Sequence, residues 1–423
     1  MNTFRVVVLS LCFVLCLAVV RAAEIKAPFA DIDAYALAAP DTVAQDIPTL
    51  ATYLAHPAKT DREKARVIFR WMSEHIRYDT DAFFSGKIPD MSAPAVLQRG
   101  SGVCEGYAAL FEQLGKAMGL EVVIIHGFAK GYNFAAGSAV QPGNNHAWNA
   151  VRCAGAWQLV DVTWGSGYVD EKWQFVKKLC EHYFCTPPAM MIYDHFPEDQ
   201  TWQLLTPPVT REAFTRYVFL RPTFFQCGLS LLSHSDTVIT TESTVTVRLG
   251  APTTTQLFAR VVQQEQTLPD TLTFVQREGA ELVVRALFPR AGDYLLRVFA
   301  KPASTPGAFN WALDYQVKVK TGVGADAGFP KIYSGFLQGG LVLVAPFTGT
   351  LPAGTPVTFT FTAPDADTIL LTNGAQRIAF TKKDTTFSGV LTPTPGLVHI
   401  CVHSPADGNE FQFQVVLEYQ VKK

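Results

Sequence analysis

The segment Arg99-Gly-Ser-Gly-Val-Cys-Glu-Gly-Tyr-Ala108 places glycines directly before a cysteine that opens an apolar helix. The residues that follow carry an apolar stripe and end at a glycine, which predicts a helix over 103–120. Free N–H groups and the macrodipole at a helix N-terminus stabilise an anion, so we expect a lowered pKa for the Cys104 thiol. The same N–H groups can stabilise an oxyanion on an attacked carbonyl. Cys104 is therefore a candidate nucleophile; the alternative is a small buried cysteine.

Two later segments supply the partners that a nucleophilic thiol needs. Asn145-His-Ala-Trp-Asn149 places His146 on one strand, and Trp157-Gln-Leu-Val-Asp-Val-Thr-Trp164 places Asp161 on the next. The two positions can lie side by side in an antiparallel hairpin. Asp161 can then hold the His146 imidazole in the tautomer that takes a proton from Cys104. The three residues together predict a Cys–His–Asp triad.

Helix and strand patterns are mixed through residues 24–205. An apolar stripe over 61–78 predicts a helix that Asp61 can cap. Short β-rich runs predict strands over 122–128, 147–152 and 157–162. The pattern is typical of an α+β domain.

Three motifs in this region resemble those of the transglutaminase-like superfamily, in particular the branch that includes kyphoscoliosis peptidase. They are Gly102-Val-Cys-Glu-Gly-Tyr-Ala108, Asn145-His-Ala-Trp-Asn149 and Leu159-Val-Asp-Val-Thr-Trp-Gly165. The resemblance covers about residues 45–205. It implies a papain-like fold with Cys104, His146 and Asp161 as the catalytic triad.

Two features depart from the animal transglutaminases of that superfamily. Those enzymes typically carry Cys-Trp in the nucleophile motif, whereas Glu105 and Gly106 follow Cys104 here. The sequence also lacks the acidic cluster that a calcium-activated enzyme needs. Both features speak against a calcium-dependent cross-linker.

Three more residues are candidates for the oxyanion site or the cleft. Gln98 lies six residues before Cys104, the spacing at which papain-like proteases place an oxyanion-hole glutamine, although a solvated glutamine is common there. Trp148 and Trp164 flank the proposed triad. We interpret them as cleft walls or core, with contact to an acyl acceptor as the alternative.

A second group of residues has side chains that can bind a soft metal ion, namely Cys180, His182, Cys185 and His195. Their spacing fits no standard zinc pattern. A Cys180–Cys185 disulfide is the favoured alternative, and we predict neither a metal nor a cofactor.

The remainder of the chain, from residue 206, shows short strands between Gly/Pro turns and no helical pattern. It also repeats itself: Phe224-Phe-Gln-Cys-Gly-Leu-Ser-Leu231 matches Phe336-Leu-Gln-Gly-Gly-Leu-Val-Leu343. The copies end in similar strands, with Leu313 and Tyr315 predicted to point inward in one, and Leu417 and Tyr419 in the other. We therefore predict two tandem immunoglobulin-like β-sandwiches, over 206–320 and 321–423.

The 423 residues are 48% apolar and 17% charged, which excludes a disordered chain. A formal net charge of -2 speaks against nucleic acid as a partner. Arg5 followed by an apolar run over 6–20 predicts a signal peptide over 1–22, and hence a transglutaminase-like domain over 23–205. We expect the mature protein to be secreted or extracytoplasmic, with no stable membrane insertion. Six cysteines remain, one of them the candidate nucleophile.

These predictions favour an exported thiol-dependent enzyme that transfers acyl groups from protein or peptide amides through a thioester. A peptidase or deamidase is favoured on the resemblance, and a protein-cross-linking transglutaminase is one alternative. The other is a non-catalytic adhesion or scaffolding protein whose sandwiches bind protein or glycan.

Overall fold

The computed structural model describes residues 28–131, 134–138, 143–338, 340–364, 366, 368–403 and 413–422. The predicted signal peptide lies outside these residues. Within the described ranges, no helix is both long and apolar enough to cross a bilayer.

The first part of the chain combines helices with small sheets. Its helices are α1 (Ala30–Leu37), α2 (Ile47–Ala55), α3 (Asp61–His75), α4 (Thr80–Ser85), α5 (Ala93–Arg99), α6 (Cys104–Ala117), α7 (Val162–Ser166) and α8 (Pro188–Met191). Its strands are β1 (Arg77–Tyr78), β2 (Ser101–Gly102), β3 (Val122–Ala129), β4 (His146–Cys153), β5 (Ala156–Val160), β6 (Gly167–Val169), β7 (Phe175–Lys177) and β8 (His195–Pro197). An antiparallel sheet runs in the order β5-β4-β3-β8.

Helix α3 is capped by Thr60, so the prediction of Asp61 as the cap was wrong by one residue. The Thr60 hydroxyl accepts a hydrogen bond from the Glu63 N–H at 3.2 Å, and the Glu63 carboxylate accepts one from the Thr60 N–H at 3.0 Å. This reciprocal pair satisfies two N–H groups that the first turn leaves free. Asp61 lies in that first turn, where its charge still favours the helix start. The helix ends at His75, before the predicted 78, because the next residues form β1 and pair with β2.

The candidate nucleophile is the first residue of α6, as the sequence predicts. Helix α5 packs against the start of α6, and a Cβ on Gly106 would lie 2.7 Å from Val96 Cγ2. The glycine therefore allows the two helices to approach closely at the level of Cys104.

The largest core of the first part lies between the helices and the sheet. Fully buried members include Ile68, Phe69, Leu110, Phe111, Leu114, Val151 and Val160. Burial of each such side chain contributes about 1.5–3 kcal/mol. The apolar stripes of α3 and α6 thus hold the start of α6 against the sheet that carries His146.

Strand β5 ends at Val160, two residues before the predicted end at 162. Asp161 is the N-cap of α7, and its Oδ1 accepts a hydrogen bond from the Trp164 N–H at 3.0 Å. The predicted strand was too long because apolar Val162 continues the pattern while the aspartate begins a helix.

The second part of the chain forms two sandwiches. Strands β9 to β18 of the first are Phe219–Leu220, Ser230–Leu231, Val238–Thr241, Thr244–Gly250, Thr255–Gln263, Gln266–Thr267, Thr273–Glu278, Glu281–Leu287, Gly292–Pro302 and Asn310–Val319. Strands β19 to β28 of the second are Lys331–Ile332, Val342–Ala345, Thr350–Pro352, Val357–Thr362, Thr368–Asn373, Gln376–Ala379, Thr381–Lys383, Thr386–Leu391, Gly396–His403 and Phe413–Lys422. Three short helices accompany them: α9 (Arg211–Arg216), α10 (Pro222–Gln226) and α11 (Ser334–Gln338).

The two sandwiches have the same topology. One sheet is ordered β10-β12-β16-β15 in the first and β20-β22-β26-β25 in the second. The facing sheet is ordered β11-β18-β17-β13-β14 in the first and β19-β28-β27-β23-β24 in the second, and β21 pairs with β28 as β11 pairs with β18. The side chains predicted to point inward on β18 and β28 are fully buried. The expectation of no helix after residue 206 was wrong, since short helices precede the equivalent strands β10 and β20.

Side chains cross between the three parts. Phe274 of β15 is buried in the core of the second sandwich, and the amide of Gln276 exchanges two hydrogen bonds with the backbone of Leu343. Phe214 of α9 packs with Phe128 and Phe196 of the first part. Each sandwich thus shares packed side chains with the part of the chain before it.

Candidate active site

Cys104 lies half-buried at the N-terminus of α6. Burial opposes ionisation of its thiol. A hydrogen bond to His146, the charge of that imidazole and the backbone N–H of Ala147 outweigh burial and lower the pKa of the thiol below its usual 9.0. The geometry therefore favours a thiolate at the start of the helix, which is the form that attacks a carbonyl.

His146 begins β4, and its Nε2 lies 2.8 Å from Asp161 Oδ2. The other ring nitrogen, Nδ1, is the one left for Cys104. Burial opposes the charged imidazole, but the charge of Asp161 and the hydrogen bonds on both sides raise the pKa of His146 to about 10. Asp161 thus favours the charged form of the imidazole that contacts Cys104.

Asp161 is completely buried and accepts hydrogen bonds on both carboxylate oxygens. Oδ1 takes the Trp164 N–H, while Oδ2 faces the Nε2 atoms of His146 and His195, the latter at 3.1 Å. Burial alone would raise the pKa of this carboxyl. The two imidazoles hold it well below its usual range instead. Asp161 is therefore a fixed anion.

His195, at the start of β8, joins this cluster although the sequence singled it out only as a soft metal ligand. Its Nδ1 lies 2.7 Å from Asp194 Oδ1, and the Tyr183 hydroxyl donates to Asp194 Oδ2 at 3.0 Å. All three side chains are buried. Adjacent Asp194 and His195 in an apolar stretch were the signal that could have placed them in the site.

Two tryptophans enclose the imidazoles, and Trp148 is buried in the core, one of the two placements considered for it. The Trp148 ring stacks on His146 with 6.0 Å between centroids. The Trp164 ring lies 5.1 Å from that of His146 and 4.5 Å from that of His195. Trp148 Nε1 is buried with no hydrogen-bond partner in the part of the chain that the structure describes. The rings exclude water from the carboxylate and so strengthen its hydrogen bonds.

Gln98 does not join the cluster. It is exposed near the end of α5, and among the described residues its side chain has no hydrogen bond to the triad. Its proposed oxyanion role therefore stays a prediction that this geometry does not support.

Cys180 and Cys185 carry free thiols, so the favoured disulfide is not formed. Burial raises the pKa of Cys180 to about 11 and that of Cys185 to about 12, which makes both poor nucleophiles and poor metal ligands. His146, Asp161 and His195 together could hold a metal ion. A metal there would use the ring nitrogens and the oxygen that now share hydrogen bonds, and would thus compete with the triad.

An open groove of about 1090 Å³ lies next to Arg77 and Asp79, on either side of Tyr78 in the sequence. It is lined by residues of β1, α4 and the β6–β7 hairpin. Trp173 at the hairpin tip stacks on Phe84 yet remains 60% exposed. Basic and acidic side chains share this rim, namely Arg77, Lys87, Lys172, Asp79 and Asp81.

Comparison with known families agrees with this fold. Residues 48–162 match the transglutaminase-like superfamily, and residues 211–324 match the KY-like, immunoglobulin-like domain. The chain thus contains a transglutaminase-like domain followed by a KY-like immunoglobulin-like domain.

In sequence it is similar to kyphoscoliosis peptidase of Mus musculus, with 33% identity over 66% of this chain, and to that of Homo sapiens, with 33% identity over 69%. It spans 41% and 43% of the length of these two relatives. A solved structure of a TGase is 17% identical over 34% of this chain and 35% of that chain, with a TM-score of 0.23.

Proposed function

We propose that the protein is a thiol-dependent acyl-transfer enzyme that acts on protein amides, with Cys104, His146 and Asp161 as its triad. The observation that carries the proposal is the arrangement of the three side chains. A thiol at a helix N-terminus contacts an imidazole, and that imidazole is bound at 2.8 Å to a buried carboxylate. The names of the relatives agree with hydrolysis.

In the first half-reaction the Cys104 thiolate attacks the carbonyl carbon of the amide. The C=O electron pair moves to oxygen, and N–H groups at the start of α6 face the resulting oxyanion. When the tetrahedral adduct collapses, the C–N bond breaks and the His146 imidazolium gives its proton to the leaving amine. A thioester and a neutral imidazole remain.

In the second half-reaction His146 removes a proton from water, which attacks the thioester carbonyl. Collapse breaks the C–S bond, releases a carboxylic acid and returns the Cys104 thiolate beside the protonated imidazole. A lysine amine in place of water would give an isopeptide bond. The same residues thus serve a peptidase, a deamidase or a transglutaminase.

The test is a release assay on a mixed protein substrate that follows ammonia, new N-termini and incorporation of an added amine. We expect wild-type protein to release ammonia or N-termini and Cys104→Ala to release neither. Cys180→Ala is the matched control, because that thiol is partly exposed but lies outside the triad, and it should keep full activity. Equal release by wild type and Cys104→Ala would refute the proposal, and amine incorporation as the dominant product would identify a cross-linker.

A scaffolding role is the second candidate, favoured by the extent of the two sandwiches and by the coupling of their cores through Phe274. Under this alternative, Cys104→Ala would leave binding to a protein or glycan partner intact, whereas removal of residues 321–423 would abolish that binding. Binding of protein or glycan by the sandwiches belongs to this candidate.

We also propose that the protein is exported, supported by the charged start and apolar run within residues 1–22. Expression of the full chain in a secreting host should yield a protein in the medium that begins after Ala22. A protein retained in the cytoplasm with Met1 intact would overturn this proposal.

A further inference from the structure

Both ring nitrogens of His195 face carboxylates. Nε2 lies 3.1 Å from Asp161 Oδ2, and Nδ1 lies 2.7 Å from Asp194 Oδ1. An ionised carboxylate only accepts hydrogen bonds, and a neutral imidazole has a single N–H. Two such contacts therefore require an imidazolium, with a proton on each nitrogen.

We infer that His195 is a positioning residue of the candidate triad: as a buried imidazolium held between Asp161 and Asp194, it orients the Asp161 carboxylate and offsets part of its charge. The inference rests on the proposed function, because it concerns how that triad is tuned. Burial opposes a charged His195, but the two carboxylates outweigh burial and raise its pKa.

The consequence for catalysis follows from the shared oxygen. Asp161 Oδ2 faces His146 and His195 at once, and the two rings lie 5.4 Å apart. A buried carboxylate with only His146 as partner would hold the proton of that ring more tightly than one whose charge is shared with a second imidazole. The cation on His195 weakens this hold. It also favours the thiolate form of Cys104.

Two neighbouring polar groups add no charge that would oppose this state. The Tyr183 hydroxyl donates to Asp194 and stays neutral, because burial raises its pKa well above 10.0. His182 is also neutral, because burial lowers its pKa. The titratable groups that face His195 or Asp194 are Asp161, His146, His182, Tyr183, Cys180, Lys130 and Arg221.

The experiment measures the rate at which iodoacetamide alkylates Cys104 as a function of pH, with the modified peptide followed by mass spectrometry. In wild type we expect two changes in the alkylation rate as the pH rises. The first, the acid limb, marks ionisation of the Cys104 thiol, and the second, the alkaline limb, marks loss of the His146 proton. In His195→Gln the cation that lies between Asp161 and Asp194 is gone. Both limbs should then move to higher pH by about one unit, because loss of a positive charge makes every neighbouring proton harder to remove.

His182→Gln is the matched control. It makes the same substitution at a neighbouring imidazole that is neutral and stacked on Phe225, and it should leave both limbs in place. If His195 had only a structural role, the His195→Gln variant would show a lower alkylation rate at every pH, with both limbs at the same pH as in wild type. That result would overturn the inference.

A wild-type Cys104 that alkylates like a free thiol would refute the proposed function, and the inference with it. A wild-type profile with both limbs and an unchanged His195→Gln profile would refute the inference alone. If His195→Gln does not fold, ¹⁵N-histidine NMR of the wild-type protein answers the question. His195, recognised by its contacts with the rings of both Trp164 and Tyr183, should carry protons on both nitrogens at pH 7, and a neutral ring would overturn the inference.

Discussion

Asp161 performs two tasks with one side chain. Oδ1 caps α7, and Oδ2 faces two imidazoles, while the whole carboxylate is shielded from water. Unpaired burial of a carboxylate would be costly, so each oxygen has a partner with a hydrogen to donate. The position of the anion, and through it the orientation of His146, is thus set by backbone and side-chain donors together.

Asp161→Asn should lower kcat by about 10³–10⁴-fold, because an amide cannot accept from both imidazoles and stabilises the wrong tautomer of His146. The measurement is single-turnover acylation by a peptide amide. Asp46→Asn is the control, since Asp46 also caps a helix and accepts from the Thr49 N–H at 2.8 Å. Asparagine caps as well as aspartate, so that variant should keep its rate; a loss of similar size there would assign the effect to capping.

The pH profile of wild-type alkylation follows from two shifts of opposite sign. The pKa of Cys104 is lowered, so the thiolate forms below the usual 9.0 of a free thiol. The pKa of His146 is raised to about 10, so the imidazolium persists until that pH. Reactivity with iodoacetamide should therefore rise below pH 9 and stay level until His146 loses its proton near pH 10. A rise centred at or above pH 9 would contradict this prediction.

At this scale the sequence singled out three side chains that the structure brings together. Cys104, His146 and Asp161 were found through a glycine-preceded cysteine and two strand motifs. His195 was missed as a partner of Asp161, because no local pattern shows that β8 lies beside β3 in the sheet. Gln98 was proposed from spacing alone, and a helix of seven residues turns it toward solvent.

Helix α6 illustrates how elements place the nucleophile. Its start is fixed by close packing on α5, since Val96 and the Met91 sulfur lie where a Cβ on Gly106 would be. Its apolar stripe is buried against the sheet. The helix N-terminus that favours the thiolate is therefore held on two sides.

Gly106→Ala should destabilise the first domain by about 1–3 kcal/mol. The new Cβ would lie 2.7 Å from Val96 Cγ2 and 2.9 Å from Met91 Sδ, so these side chains or the helix must shift. Urea unfolding measures the loss, and alkylation of Cys104 should slow as the helix start moves. Gln113→Ala, exposed on the same helix, is the control and should change stability by less than about 0.5 kcal/mol. An unchanged free energy of unfolding in Gly106→Ala would show that α5 can shift without destabilising the domain.

The ends of helices and strands are set by capping residues, which the spacing of apolar residues does not reveal. The strand predicted to end at residue 162 stops at Val160, because Asp161 caps a five-residue helix. Helices α9, α10 and α11 were missed since each is five or six residues long, too short to show a helical period. The repeated strands were predicted because alternation over six or more residues is visible locally.

Side chains of one domain contact the next and hold the whole molecule together. Lys130, which follows β3, is fully buried and donates from Nζ to the carbonyls of Phe214 and Tyr217 at 2.9 Å each. Its ammonium also lies 4.4 Å from the centre of the Phe214 ring. The first domain is thus anchored to the end of α9, the element that leads into the first sandwich.

Burial lowers the pKa of Lys130 from 10.5 to about 7, although the charge of Asp194 opposes the shift. Between these values the unfolded chain binds more protons at Lys130 than the folded chain, so its contribution to stability rises with pH from about 7 to 10.5. Relative to Lys130→Met, the free energy of unfolding of wild type should increase by about 2–4 kcal/mol across that range. Lys116→Met, on the exposed face of α6, should show no such slope. A flat difference for Lys130→Met would mean that the amine stays charged in the folded protein.

The local pattern of residues was sufficient to predict the transglutaminase-like domain, the repeat of the sandwiches and three side chains that come together in the structure, because helix stripes, strand alternation and short motifs are encoded within a few residues of one another. Folding in three dimensions was needed for the rest. His195 meets Asp161 across the sheet, Lys130 reaches the backbone of α9, and Phe274 enters the core of the next sandwich. The contacts of His195 and Lys130 join residues 34 and 87 positions apart in the sequence, and that of Phe274 joins two domains. They form because a buried charge needs a partner or a buried ring needs space, and a short stretch of sequence does not show which distant residue supplies it.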